Sequence, residues 1–199
     1  MVKSKRNQNI REQLLNQGVS IFIKQGYHGT GIKEILDRVK VPKGSFYNYF
    51  KSKEHFGAEV IRQYAKQITA NMDTWLSEPE KDGLDALKQF FNQEIIRHEE
   101  AREGCLIGNL GAELGDSSEL CRQVMSESLQ IIQQRFVRVI QKAQKQGTVR
   151  KDLAAAELAD ILFNAYEGAL LRMKIEKSVE PLRQFTKLML DDFLPVGKN

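Results

Sequence analysis

The chain has 199 residues, of which 41% are hydrophobic and 28% are charged. This length and composition exclude disordered and collagen-like chains and leave enough sequence to bury a core. Fourteen glycines and four prolines are too few for a protein of many short strands and turns, so the composition favours helices. Two cysteines cannot form a disulfide framework, which predicts a reducing, cytoplasmic location.

The sequence gives no sign of export or of membrane insertion. The basic start at residues 1–6 is followed by polar residues, whereas a signal peptide requires an apolar stretch there. The apolar runs elsewhere fall far short of the ~20 residues that a helix needs to cross a bilayer. We therefore expect no targeting segment and no membrane partner.

Positive charge is concentrated at the N-terminal end. Residues 1–53 contain 11 lysines and arginines against 3 acidic residues, while the rest of the chain contains 19 basic and 23 acidic residues. This asymmetry predicts a polyanionic partner for the N-terminal quarter. A solvated basic surface explains the charge equally well when the charge is considered alone.

Three helices are predicted at the N-terminal end. Apolar residues recur at steps of three and four over residues 6–25, and Gly26 ends this first helix. The Thr30 hydroxyl is expected to cap a second helix of two turns. Pro42 favours the start of a third short helix, because the first residue of a helix needs no amide hydrogen.

The third helix is expected to have one buried and one exposed side. Phe46 and Phe50 are four residues apart, so they share the face that packs on the first two helices. On the other side, Gly44 allows close approach to a DNA backbone, and the Asn48 amide can both donate and accept, as a contact to adenine requires. Two short helices with a basic, aromatic second member favour a helix-turn-helix.

Helical patterns continue through residues 54–199, with no strand alternation. Ser52 opens a fourth helix, and Asp152 is expected to cap a later one. A further helix has an apolar stripe formed by Leu84, Leu87, Phe90, Phe91, Ile95 and Ile96. The predicted fold is all-α with about nine helices: a three-helix helix-turn-helix domain in residues 1–53, then a helical C-terminal domain.

The N-terminal pattern resembles the DNA-binding domain of TetR-family transcriptional regulators. Two segments carry the resemblance, residues 26–35 (GYHGTGIKEI) and 41–54 (VPKGSFYNYFKSKE). It implies a homodimer that binds an inverted-repeat operator in double-stranded DNA, usually as a repressor, and a C-terminal effector-binding and dimerisation domain in residues 54–199. The candidate DNA contacts are Thr30, Lys43, Gly44, Ser45, Tyr47, Asn48, Tyr49 and Lys53.

One residue departs from the family pattern. The family commonly has glycine in the turn where this chain has Lys40. A left-handed backbone at that position would be strained for a lysine, so the turn is expected either to differ or to gain a phosphate contact.

Shorter motifs resemble the branch of this family that senses electrophiles such as N-ethylmaleimide or acrylate. They are residues 104–106 (GCL), 110–113 (LGAE) and 174–182 (KIEKSVEPL). The resemblance implies that Cys105 takes part in sensing. A helix start or a nearby cation favours the thiolate, and Lys174 is a candidate cation. The alternative role for Cys105 is that of a small buried hydrophobic residue.

The complete set of candidate effector or sensor residues is Trp75, Cys105, Asn109, Tyr166, Glu167 and Lys174. Asn109 and Glu167 are polar residues in apolar surroundings, where each would orient a ligand or bond to a neighbouring helix. The aromatic residues would line a ligand pocket or form plain core. The expected effector is a small molecule or a reactive electrophile.

Small residues in the eighth predicted helix, together with the apolar face of the ninth, would let two protomers pack as a four-helix bundle. They are Ala155, Ala159, Ala165, Gly168 and Ala169. Two competing functions are a basic helical adaptor for partner helices or acidic membranes, and a cysteine-dependent enzyme with Cys105 as nucleophile. The enzyme is disfavoured because the three histidines lack metal-ligand spacing and no phosphate loop is present. We expect no enzyme activity, no metal and no cofactor.

Overall fold

The computed structural model describes residues 2–77, 80–101 and 103–197, excluding the side chains of residues 2–7 and 43. The side chain of Lys43, a predicted DNA contact, therefore lies outside the described residues. The elements are α1 (Val2–Gln25), α2 (Ile32–Val39), a 3₁₀ helix (Lys43–Asn48), α3 (Lys53–Leu76), α4 (Gly83–Glu100), α5 (Leu106–Leu114), α6 (Glu119–Gln146), α7 (Ala155–Glu176), α8 (Glu180–Lys187) and a π-helical segment (Leu188–Phe193).

The all-α prediction is confirmed over the described residues, where the extended pairing is one isolated antiparallel bridge between Val149 and Pro195. The described residues form eight α-helices, and the third predicted helix, which follows Pro42, is a 3₁₀ helix. The Ser45 amide donates to the Pro42 carbonyl at 2.8 Å, which is the tighter i to i+3 bond of that helix type.

The chain divides into two compact units. The first contains Met1–Lys66 and Leu106–Leu129, and the second contains Gln67–Cys105 and Gln130–Asn199. The first unit is larger than the predicted domain of residues 1–53, because it also includes residues 54–66 of α3, all of α5 and the beginning of α6. Helices α3 and α6 each begin in the first unit and end in the second.

Aromatic rings fix the 3₁₀ helix in the core of the first unit. Phe46 and Phe50 are buried, and their ring centroids lie 5.6 and 4.8 Å from that of Phe56 on α3. Phe22 of α1 joins the same cluster at 5.8 Å from Phe56. Edge-to-face rings at these distances favour one defined arrangement. Phe46 and Phe50 are therefore buried together as predicted, but the ring that both contact belongs to Phe56 of α3 rather than to the first two helices.

The turn after α2 keeps the left-handed geometry expected from the family, although a lysine occupies it. Lys40 has φ 55° and ψ 42°, and its amide donates to the Asp37 carbonyl at 3.2 Å. The Val41 amide donates to the Leu36 carbonyl at 3.1 Å, which completes the usual termination of a helix. Lys40 therefore adopts a left-handed conformation, which strains the backbone of a residue other than glycine.

Two predicted helix caps are wrong and one is confirmed. The residue before α2 is Gly31, which makes no side-chain cap, so Thr30 does not cap that helix. Helix α7 begins at Ala155, and Asp152 instead accepts a hydrogen bond from the Arg150 guanidinium at 2.7 Å. At α3 the Ser52 hydroxyl accepts from the backbone amide of the third residue after it at 3.1 Å, as expected.

The buried side of α4 differs from the predicted stripe. Leu87, Phe91, Glu94 and His98 are buried, while Ile96 is 50% exposed. Steps of four, three and four keep the four buried residues on one helical face, which Ile96 does not share. The buried face therefore continues through Glu94 and His98 rather than through the predicted Ile95 and Ile96, while the other predicted residues, Leu84, Leu87, Phe90 and Phe91, are buried.

Candidate DNA interface and sensor site

The 3₁₀ helix has an exposed edge. Tyr47 is 65% exposed, Gly44 and Asn48 are also exposed, and Ser45 and Tyr49 are half-buried. Nothing lies within 4 Å of the position that a Cβ at Gly44 would take, so the backbone there is open to close approach. A phenol, an amide and an accessible backbone can hydrogen-bond to phosphate oxygens or base edges. This edge can therefore supply DNA contacts from the predicted residues.

Two other predicted DNA contacts are used inside the first unit. Thr30 is 1% exposed, and its hydroxyl donates to the Gly26 carbonyl at 2.7 Å. The Lys53 ammonium donates to the Tyr27 carbonyl at 2.7 Å and lies 4.3 Å from the Tyr27 ring centroid. Burial lowers the pKa of Lys53, and the Glu113 carboxylate opposes that shift. In this structure both side chains hold the α1–α2 turn, so their contacts with DNA stay predictions.

Cys105 lies directly before α5 and is half-buried. Its thiol is hydrogen-bonded to the carboxyl group of Glu167 on α7. Burial raises the pKa of Glu167, and the bond to the thiol partly offsets this rise. An ionised carboxylate in this position can take the thiol proton when the sulfur attacks an electrophile. The expected cation, Lys174, is exposed on α7.

A buried carboxylate that the sequence analysis did not identify lies on α4. Glu94 is 3% exposed and accepts hydrogen bonds from the Tyr166 hydroxyl at 2.7 Å and the Asn71 amide at 3.3 Å. Arg97 also donates to it. His98, which is 2% exposed, has a ring nitrogen 3.9 Å from the same carboxylate. Burial, helped by the charge of Arg97, lowers the pKa of His98, so the imidazole is held neutral.

The six predicted effector residues do not all lie in one unit. The second unit contains Trp75, Cys105, Tyr166, Glu167 and Lys174. Asn109 is half-buried on α5 and belongs to the first unit. Trp75 is half-buried on α3, and Tyr166 is buried against Phe91 with ring centroids 5.2 Å apart. Cys105 and Glu167 are brought together, and Tyr166 is part of the aromatic core.

The outer face of α7 is apolar. Ile161, Leu171 and Ile175 are 40%, 59% and 71% exposed, and Asn164 and Gly168 continue the same exposed side at steps of three and four. The small residues that were expected to form this surface mostly face inward, since Ala155, Ala159 and Ala169 are buried within the protomer. The exposed apolar side chains were missed because the sequence analysis followed residue size rather than helical spacing.

Within residues 2–77, 80–101 and 103–197, no group of three or more His, Cys, Asp or Glu residues is arranged to hold a metal ion. Over that same part of the chain, no helix combines the length and apolar character that crossing a membrane requires.

Comparisons with known proteins agree with this architecture. Residues 14–60 match the family model described as "Bacterial regulatory proteins, tetR family", and residues 83–189 match "Tetracyclin repressor-like, C-terminal domain". The HTH-type transcriptional repressor DhaR of Mycobacterium sp. strain GP1 is 36% identical over 96% of this chain and 95% of its own. The repressor NemR of Escherichia coli is 29% identical over 86% of this chain and 87% of its own.

The solved structure of the reduced form of E. coli NemR superposes with a TM-score of 0.87 at 26% identity, covering 96% of this chain and all of that one. These relatives are transcriptional regulators rather than enzymes, so neither the enzyme nor the adaptor alternative is favoured. The chain belongs to the TetR family of DNA-binding transcriptional regulators.

Proposed function

We propose that this regulator is a homodimeric repressor that binds an inverted-repeat operator and leaves it when an effector acts on the C-terminal part of the chain. The observation that carries DNA recognition is the exposed edge of the 3₁₀ helix, where Tyr47 and Asn48 face outward while Phe46 and Phe50 anchor the helix from below. The basic surplus of residues 1–53 complements the phosphate backbone. DhaR and NemR are described as transcriptional repressors, which supports the proposal that this regulator represses transcription.

The outer face of α7 supports the homodimer. An exposed apolar stripe at helical spacing is a common protein interface, and α7 and α8 from each of two protomers would together form a four-helix bundle. Ile161, Leu171 and Ile175 supply that stripe. A twofold dimer also matches the symmetry of an operator with two related half-sites.

Fluorescence anisotropy tests operator binding. The probe is the duplex upstream of the protein's own gene, compared with an unrelated duplex at near-physiological salt. We expect at least ~10³-fold preference for the first, the lower end of the range for specific proteins. Equal and salt-sensitive binding to both duplexes would contradict recognition of that sequence.

The dimer is tested in the same assay. Leu171→Lys should give a monomer in analytical ultracentrifugation and lose the preference for the operator, because a charge cannot be buried at an apolar interface. Ile96→Lys is the matched control, since Ile96 is 50% exposed on another helix of the same unit. A dimeric Leu171→Lys protein with wild-type affinity would contradict the proposed interface.

The effector step that we propose is addition of the Cys105 thiol to an electrophilic alkene. The sulfur forms a bond to one alkene carbon, and the π electrons move toward the activating carbonyl group. Glu167 accepts the thiol proton, which is then transferred to the carbon that received the electrons. The modified state must bind the operator less well than the free state, because equal affinities would shift no population. The hydrogen bond between the thiol and Glu167 supports this chemistry.

The two free cysteines allow a controlled test. N-ethylmaleimide should lower the operator affinity of the wild type and of Cys121→Ser at least tenfold, while Cys105→Ser stays unchanged. Cys121 is the matched control because it is fully buried and burial raises the pKa of its thiol, which keeps it unreactive. A Cys105→Ser protein that still lost affinity on alkylation would contradict the sensor. A thiol sensor must be kept reduced, so we also propose a cytoplasmic location.

A further inference from the structure

The turn between α1 and α2 is held by a side chain from α5. Helix α1 ends at Gln25, and the φ of 73° at Gly26 turns the next two backbone amides away from the helix. The carboxylate of Glu113 binds both of them: one oxygen accepts from the Tyr27 amide at 3.2 Å and the other from the His28 amide at 2.9 Å. Hydrogen bonds from backbone amides to an ionised carboxylate are stronger than those between neutral groups.

Glycine at position 26 leaves room for this carboxylate. A Cβ at Gly26 would overlap the Glu113 carboxylate oxygens. The peptide group between Tyr27 and His28 is bound at both ends. Its N–H donates to Glu113, and its carbonyl accepts a hydrogen bond from the Lys53 ammonium at 2.7 Å. Side chains from two different helices, α5 and α3, therefore hydrogen-bond to this one peptide group of the turn.

The α1–α2 turn, stabilised by these hydrogen bonds, determines where α2 begins. The Thr30 amide donates to the Tyr27 carbonyl at 3.3 Å, and the Thr30 hydroxyl donates to the Gly26 carbonyl at 2.7 Å. Helix α2 starts two residues after Thr30 and leads into the 3₁₀ helix with the exposed Tyr47. A change at the Tyr27 peptide would therefore change the direction in which α2 leaves the turn.

We infer that Glu113 is a positioning residue for DNA recognition, which holds the α1–α2 turn in the geometry that aims α2 and the 3₁₀ helix. Glu113 belongs to the motif at residues 110–113 (LGAE), which by itself predicts no role for this carboxylate. Helix α5 starts at the residue after Cys105, so the carboxylate lies about two helical turns along the helix that follows the proposed sensor thiol. The inference rests on the proposed operator binding.

The test compares Glu113→Gln with Glu127→Gln in the full-length protein. Glu127 is exposed on α6 in the same unit, so the control removes the same charge from the surface. Amide hydrogen exchange, measured by NMR, should become about tenfold or more faster at Tyr27 and His28 in Glu113→Gln. Operator affinity should fall about tenfold, as expected for loss of a charge-assisted hydrogen bond, while binding to the unrelated duplex stays within twofold.

Glu113→Asp distinguishes the effect of side-chain length at position 113 from the effect of its negative charge. It keeps the carboxylate but shortens the side chain by one methylene, so it should accelerate exchange at the same two amides. Unchanged exchange in both variants, or faster exchange with operator affinity within twofold of Glu127→Gln, would overturn the inference. If the wild type bound no operator, the proposed function would fail, and the exchange rates would still decide whether Glu113 holds the turn.

Discussion

Polar side chains play different parts at one site in each of the two compact units. At the α1–α2 turn of the first unit they bind backbone: Thr30 and Lys53 donate to carbonyl oxygens, and Glu113 accepts from amides. Beside α7 in the second unit they bind one another, as Tyr166 does with Glu94 and Cys105 with Glu167. Backbone contacts fix the shape of a turn, whereas a side-chain network can rearrange by changing rotamers and protonation. The first arrangement suits a surface that reads DNA, and the second suits a site that responds to a ligand.

The largest expected effect lies in the side-chain network. Glu94→Ala leaves the Tyr166 hydroxyl buried without its acceptor and opens a cavity, so the free energy of unfolding should fall by about 3 kcal/mol. Urea denaturation measures this change. Glu100→Ala, at an exposed position of the same helix, should stay within about 0.5 kcal/mol of the wild type. Similar losses in the two variants would show that Glu94 does not hold the network together.

Gly26→Ala tests the hydrogen bonds that side chains make to the backbone of the α1–α2 turn. The new methyl group meets the Glu113 carboxylate, and the backbone keeps a φ of 73° that alanine resists, so we expect a loss of about 2 kcal/mol. Gly31→Ala is the control, because nothing lies within 4 Å of a Cβ there and its φ is −90°. Thermal unfolding should give Gly26→Ala a lower melting temperature than Gly31→Ala. Equal melting temperatures would mean that neither the Glu113 contact nor the positive φ constrains the turn.

The side-chain network should also respond to pH. Burial lowers the folded-state pKa of His98 below its ordinary value of 6.5, so the unfolded chain binds its proton more readily. The stability that His98 contributes is complete above pH 6.5 and is lost as the pH falls toward the lower folded pKa. The slope should approach about 1 kcal/mol per pH unit in that window. His98→Gln should remove it, and an unchanged slope would assign the pH dependence to other groups.

The smallest expected effect is an increase in the free energy of unfolding. Lys40→Gly removes the penalty of a left-handed lysine, so the free energy of unfolding should rise by about 0.5–1 kcal/mol, partly offset by the greater freedom of glycine in the unfolded chain. Thermal unfolding measures it. A fall in stability would mean that the Lys40 side chain makes a contribution larger than the backbone strain.

The first unit was largely predictable because local rules decide its elements. The spacing of Phe46 and Phe50, the position of Pro42 and the cap at Ser52 each depend on neighbours within a few residues. Contacts such as that between Glu113 and Tyr27 join residues 86 apart in the sequence, and no local pattern specifies them. The orientation of Lys53 was unforeseen for the same reason, because its partner Tyr27 lies 26 residues earlier, whereas the partner of Thr30 is the Gly26 carbonyl only four residues earlier.

The second unit was harder to predict at its polar core. Glu94 and His98 share a face with the apolar residues Leu87 and Phe91, and this spacing was visible in the sequence. Binary patterning nevertheless favours isoleucine over a carboxylate at a core position, so Ile95 and Ile96 were preferred. Partners for Glu94 come from α3 and α7, which sequence spacing cannot identify. The same holds for Cys105, whose partner is Glu167.

The first unit is assembled from two separate stretches of sequence, and this limits how its binding specificity can be exchanged between family members. A chimera that replaces residues 1–53 alone would keep Glu113 from the host protein. The carboxylate of Glu113 accepts hydrogen bonds from the Tyr27 and His28 amides, which the donor protein would supply. Transplanting the surface that binds DNA therefore requires that α5 move with residues 1–53.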